Sequence, residues 1–240
     1  MRETAAGRAA ADVPLGRRGR TFAAVGLALS AIPYSAWVLQ FPLHLGTDLV
    51  CAYASELARR TGPDRWLFAS TDLAAGLLAV AAAAVMLLNG EPRSLTSRTA
   101  WAGLAGFGAA TTADSLLPMP CGPHIGPGCA ARQAAHQLPI TDALHTVTSA
   151  AAIAGLLVAI VCFTVGTKPG TLAHRAGAAI SLVSVASTMW TLAEVVLDET
   201  APSREQVGLA QRIQLVALAV GVAYIAWLAW SGRSARDAGW

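Results

Sequence analysis

The stretch Thr141–Val165, TDALHTVTSAAAIAGLLVAIVCFTV, decides the fold. Beyond His145 it holds no acid, no base and no proline, and it exceeds the roughly 20 mostly apolar residues that a helix needs to cross a bilayer. Its two ionisable groups, Asp142 and His145, lie at one end and three residues apart, so a helix places them on one face. Five more runs have the same form: Thr21–Phe41, Leu67–Leu88, Arg98–Leu117, His174–Leu197 and Gly208–Trp230. In nearly all of them the acids and histidines gather at the same end of the bundle. Ionisable groups in such helices are costly and usually functional, so one face carries the chemistry.

Composition agrees. Of 240 residues 55% are apolar and 13% charged, and the mean hydropathy is positive. A soluble domain of this size cannot bury that much apolar surface. The expected class is all-α: a polytopic bundle of six transmembrane helices over residues 21–232, preceded by a disordered basic tail, residues 1–20, and followed by a short tail, residues 233–240. The basic balance comes from arginines flanking the runs and not from a patch interleaved with aromatics, so nucleic acid is not an expected partner.

Lysine and arginine counts orient the bundle. With the N-terminus inside, eleven fall on the cytoplasmic side and six on the other, and ten of the fourteen acids fall outside. Both termini are therefore expected in the cytoplasm.

Three outer connections follow. The first contains Asp48–Arg60, in which Val50, Tyr53, Ala54 and Leu57 share a side at helical spacing; it reads as a short interfacial helix whose polar side offers Ser55, Glu56 and Arg60. The second, Pro118–Ile140, holds Cys121 and Cys129 around a segment rich in glycine and proline. In an oxidising compartment the two cysteines are expected to pair. Metal ligation with His124 or His136 stays open, although the spacing is longer than in a zinc knuckle. The third, Asp198–Val207, is short and acidic.

At a rise of about 1.5 Å per residue, Asp114, His145 and Glu194 lie roughly 5 to 8 Å below the outer surface, with Asp72 about two turns into its helix. The catalytic candidates are Asp114, His145, Glu194, Glu56 and Ser55; the ligand-binding candidates are Asp72, Asp142, Asp198, Arg212 and Gln211. Each has a plainer reading. Thr141-Asp142 is a helix cap signal, Glu194 with Arg212 forms a structural ion pair, and His145 alone is a packing histidine. The conjunction of four acids and a histidine at one depth favours a functional outer pocket.

The segments Tyr53-Ala54-Ser55-Glu56-Leu57 and Thr61-Gly62-Pro63, then Asp114 with Leu117-Pro118, His145, and Gly208 with Gln211-Arg212, resemble the signature positions of the domain-of-unknown-function family 998. That resemblance covers most of residues 21–232. It implies a bacterial or archaeal integral membrane protein of six helices, here placed in the bacterial plasma (inner) membrane, with no assigned activity. Gln211 stands where the resemblance implies an acid. A weaker resemblance is to the CREST membrane hydrolases: Ser55, Asp114, His136 and His145 echo their Ser, Asp and His set around zinc, but the paired late histidines are missing.

Three functions remain. One is an enzyme acting on a lipid or isoprenoid, with Asp114 or Glu194 as general acid or base and His145 as partner, in a version that protonates an alkene as membrane terpene cyclases do or in a metal-assisted hydrolytic version. No cofactor motif is present, and zinc is the one cofactor left open. The second is a ligand-binding or sensor protein. The third is a structural partner that docks another membrane protein through small-residue faces such as Gly103-Leu104-Ala105-Gly106.

Overall fold

The computed structural model describes residues 15–89, 94–200 and 206–232. The tail 1–14, the tail 233–240, the inner connection with Glu91 and Arg93, and residues 201–205 of the acidic outer connection lie outside the described residues.

Apolar runs without interior breakers become helices because in lipid every backbone N–H and C=O must be satisfied within its own segment. Among the described residues seven α-helices result: α1 Leu15–Tyr34, α2 Arg65–Leu88, α3 Leu95–Leu116, α4 Pro127–Ala134, α5 Ile140–Val165, α6 Leu172–Thr200 and α7 Val207–Ser231. Five of them, α1 with its continuation to Gln40, α2, α5, α6 and α7, are long and apolar enough to cross a membrane. Their outward faces expose Ile32, Leu182, Val196 and other large apolar side chains, a surface that only a bilayer covers at this extent. The chain is a multi-pass membrane protein. The third run, with Arg98, Asp114 and many Gly, Ser and Thr, forms the 22-residue α3 but is not among the five.

Helix α3 lies between α2 and α5, and glycine makes this closeness feasible. A Cβ on Gly103 would stand 2.8 Å from the Gly155 carbonyl oxygen, and one on Gly155 would stand 2.7 Å from the Phe107 amide nitrogen. The small face read in the sequence as a docking surface is thus partly occupied inside the bundle. Polar ties reinforce the packing: Ser30 donates to the Ala75 carbonyl at 2.8 Å between α1 and α2, and Tyr224 donates to the Ala173 carbonyl at 3.1 Å between α7 and α6.

Two expectations are corrected, the start of the first helix and the extent of the interfacial helix, while the break at Ile32-Pro33-Tyr34 is the one its proline implies. Helix α1 begins at Leu15, so the last residues assigned to the basic tail extend the first helix. The same helix ends at Tyr34, just after Pro33, and continues as a 3-10 turn, Ala36–Gln40; a proline removes one backbone donor and disrupts the turn before it. The interfacial helix over Asp48–Arg60 shrinks to a 3-10 turn, Ala54–Ala58, because Asp48 bonds the backbone N–H groups of Val50 and Cys51 at 2.7 and 3.0 Å and folds its start into a turn. Those two bonds hold the Asp48 carboxyl below its usual range.

The second outer connection holds the unforeseen α4, started by Gly126-Pro127 with proline at its first turn. Cys121 and Cys129 are joined in a disulfide. It closes a small ring over the end of the bundle that carries Glu56 and Asp198.

Candidate functional site

The end of the bundle that carries the disulfide is divided into three neighbourhoods, and the sequence candidates are shared among them.

The first lies under the disulfide ring. His124 projects from the ring between two acids of different elements: its Nδ1 is 2.6 Å from Glu56 Oε1 and its Nε2 is 3.4 Å from Asp198 Oδ1. Tyr53 packs its ring edge against the imidazole at 5.2 Å between centroids and donates to Asp198 at 2.9 Å. Glu56, expected on a solvent-facing side, is fully buried; the Tyr53 backbone N–H also donates to its Oε1 at 3.2 Å. A Cβ at 122 would meet Glu56 Oε2 and force that carboxylate to shift. Burial works against charge on His124, but its hydrogen bonds to Asp198 and Glu56 and their negative charge outweigh it and push the pKa up to about 10.

A pH dependence follows. A histidine with an ordinary pKa near 6.5 in the unfolded chain and about 10 in the folded one stabilises the fold fully below pH ~6.5, and that contribution is lost as pH rises through 10. The melting temperature of the wild type is expected to exceed that of His124→Gln near neutral pH, and the gap to close between pH 7 and about 10.5. A gap constant across that range contradicts the assignment.

The second neighbourhood joins α3 to α5. His145 Nδ1 lies 3.0 Å from the Leu117 carbonyl oxygen and 3.2 Å from Asp114 Oδ1. A carbonyl can only accept, so Nδ1 carries the ring hydrogen and Nε2 is left as an acceptor on the neutral ring. Asp114 is held in turn by the hydroxyls of Thr148 and of Ser149, the latter at 3.0 Å. The carbonyl, the carboxylate and the two hydroxyls together fix the orientation of the imidazole. Asp72 and Asp114 also share a small cavity of about 110 Å³ with Tyr34 and Thr71.

The third is a groove of about 860 Å³ between α5 and α6. Its outer end is polar, with Tyr53, Ser55, Asp142, His145, Gln211 and Gln214. Its length is apolar, with Ile153, Leu157, Met189, Leu192 and Val195. The disulfide-bearing connection roofs it through Met119, Pro123 and His136. The small cavity adjoins the groove, since Ser55, Ser149 and Gln211 line both.

Two candidates hold the scaffold together instead. Arg212 and Glu194 do not form the expected ion pair. Arg212, 5% exposed, donates to the carbonyls of Ala52, Gly208 and Leu49 at 2.7, 3.0 and 3.3 Å and to Gln40 Oε1 at 2.9 Å, clasping the first outer connection onto α7. Glu194 accepts from Trp190 Nε1 at 2.9 Å and from the Gln206 backbone N–H at 2.7 Å, where it tethers the start of α7. Gln211 Oε1 accepts from the Ala54 N–H at 2.6 Å, a bond that ties the first connection to α7.

Sequence reasoning singled out His124 only as a metal ligand and left Thr148 and Ser149 out of the site. Thr148 and Ser149 stand one turn after His145, a signal that was legible at helical spacing. Among the described residues no group of three or more His, Cys, Asp or Glu side chains is placed to hold a metal ion. His124 faces Glu56 and Asp198 while His145 faces Asp114, so the two histidines lie in separate clusters.

Neither the curated proteins nor the solved structures contain a match to this chain. A family model described as "Protein of unknown function (DUF998)" matches residues 19–230, and the chain belongs to that family.

Proposed function

We propose that this chain is a membrane enzyme that takes up an amphiphile, a lipid or isoprenoid derivative, in the α5–α6 groove and uses His145 as a general base at its polar head. The observation that carries this reading is the coincidence of the groove's polar end with an acceptor Nε2 on an imidazole whose Nδ1 hydrogen is fixed by Leu117 and Asp114. In the step proposed, Nε2 takes the proton of a water or hydroxyl as it attacks the head group, and Asp114 stabilises the imidazolium formed. The proton then returns to the leaving group.

The alkene-protonating version has less support. The cavity beside Asp72 and Asp114 measures about 110 Å³, room for about three waters at ~30 Å³ each but not for an isoprenoid chain. Glu194 and Arg212 serve the scaffold, and Ser55 donates to Met119 Sδ at 3.3 Å, away from any base.

The membrane setting of this proposal is six spans with both termini in the cytoplasm of a bacterial inner membrane. Supporting it are the placement of α3 between α2 and α5, the lysine and arginine bias, and a disulfide at the end read as extracytoplasmic.

The test uses wild-type protein in vesicles of total bacterial lipid suspended in ¹⁸O-water. The expected result is time-dependent ¹⁸O incorporation into a released head group or acyl product, lost in His145→Ala. Saturable lipid binding without label, equal in both proteins, replaces catalysis with ligand binding, the reading favoured by the lack of a side-chain nucleophile bonded to His145 among the described residues.

A further inference from the structure

We infer that the cavity between the start of α1 and the end of α7 binds the head group of an anionic phospholipid, with Arg17 and Arg20 receiving its phosphate. This cavity lies at the end of the bundle remote from the disulfide and shares no lining residue with the α5–α6 groove.

Charge is segregated along the bundle. Asp72, Asp114, Asp142 and Glu194 belong to the end that carries the disulfide, whereas the topology gathers Arg17 and Arg20 of α1, Arg98 of α3, Lys168 before α6 and Arg175 on it at the other end. A cavity of about 460 Å³ opens there, lined by Arg17, Arg20 and Thr21 of α1 and by Trp230, Ser231 and Gly232 where α7 ends. Its volume falls in the range of small-ligand sites, and among the described residues no carboxylate lines it. The helix ends do not decide its sign: the start of α1 brings about +0.5 charge and the end of α7 about −0.5, which leaves the two guanidiniums. Thr21 and Ser231 have given their hydrogens to the Arg17 and Leu228 carbonyls at 3.0 and 3.2 Å. The donors offered to an anion are therefore chiefly the guanidiniums, each with five N–H groups in a fork that matches phosphate oxygens, and the Trp230 indole N–H.

What continues the cavity makes the occupant a lipid and not a free anion. Arg17, Thr21, Val25 and Leu29 are spaced four apart and share one face of α1, and Val25 and Leu29 are exposed large apolar residues. The face thus changes from guanidinium to hydroxyl to hydrocarbon in the order of a phospholipid. From Thr21 to Leu29 it runs about 12 Å at 1.5 Å per residue, close to the ~15 Å of hydrocarbon in one leaflet. Trp230, 66% exposed beside the arginines, is the aromatic that marks head-group level. Basic pockets between spanning helices hold anionic lipid heads in this way.

Equilibrium binding to the full chain in mild detergent tests this with two lipids that share their oleoyl chains, anionic dioleoylphosphatidylglycerol and zwitterionic dioleoylphosphatidylcholine. The anionic lipid is expected to bind at least about tenfold tighter, as two basic side chains near a membrane surface imply. In Arg17→Gln/Arg20→Gln the two lipids are expected to bind within about threefold of each other. Should that variant not fold, Arg17→Gln alone, at an exposed position, is expected to weaken the anionic lipid about fivefold. Arg98→Gln, at the same end but outside the cavity, is expected to leave the preference unchanged, and inorganic phosphate is expected not to displace the lipid. Equal binding of the two lipids, a preference that survives the arginine variants, or one that Arg98→Gln reduces as strongly overturns the site. Displacement by inorganic phosphate overturns the lipid as occupant in favour of a free anion.

Discussion

Replacing His124 by alanine is expected to destabilise the fold by about 3–5 kcal/mol, the range for removing one partner of a buried ion pair. The imidazolium bridges Glu56 and Asp198, which come from the first outer connection and from α6. Without it Glu56 stays fully buried with the Tyr53 N–H as its remaining hydrogen-bond donor among the described contacts. The double variant Glu56→Gln/His124→Ala is expected to be more stable than His124→Ala alone, because the buried charge is removed along with its partner. Denaturant unfolding in mild detergent measures both. A loss below about 1 kcal/mol for the single variant, the range of an exposed pair, contradicts the buried bridge.

The second large effect concerns catalysis and separates the members of the α3–α5 pair. His145→Ala removes the base, and turnover in the ¹⁸O assay is expected to fall by 10² to 10⁴, the usual contribution of a general base. Asp114→Asn is expected to cost less, about 10- to 100-fold, since losing stabilisation of the imidazolium by 1.4 to 2.7 kcal/mol has that size. The difference has a structural cause. The Leu117 carbonyl holds the Nδ1 hydrogen independently of Asp114, so the tautomer survives. Equal losses in the two variants would instead mean that Asp114 alone sets the tautomer. Melting temperatures near the wild-type value show that the losses are chemical; a strong drop in both variants assigns the pair to structure.

The sequence made the architecture legible because long apolar runs have few alternatives in lipid, and the clustering of acids at one end survives in the structure as Asp72, Asp114, Asp142 and Glu194. The division of labour among them was not legible. Glu56 looks solvent-facing at helical spacing, and only its meeting with His124, 68 residues further along the chain, makes it a buried partner. Arg212 and Glu194 read as a pair because they are opposite charges near the ends of consecutive spans, yet backbone groups of other segments took both. Such choices depend on where loops fold back, which hydropathy does not encode. Helix α4 was announced by Gly126-Pro127 and masked by the glycine and proline content around it.

The most direct measurement is mass spectrometry of the lipid retained by gently purified protein, comparing wild type with Ala154→Trp. Ala154 lines the apolar length of the groove and is exposed there, so a tryptophan fills the space without entering the core. The groove reading predicts a lipid held in fixed ratio by the wild type and depleted at least tenfold in the variant. Equal retention in both proteins, or none in either, would contradict an amphiphile site between α5 and α6.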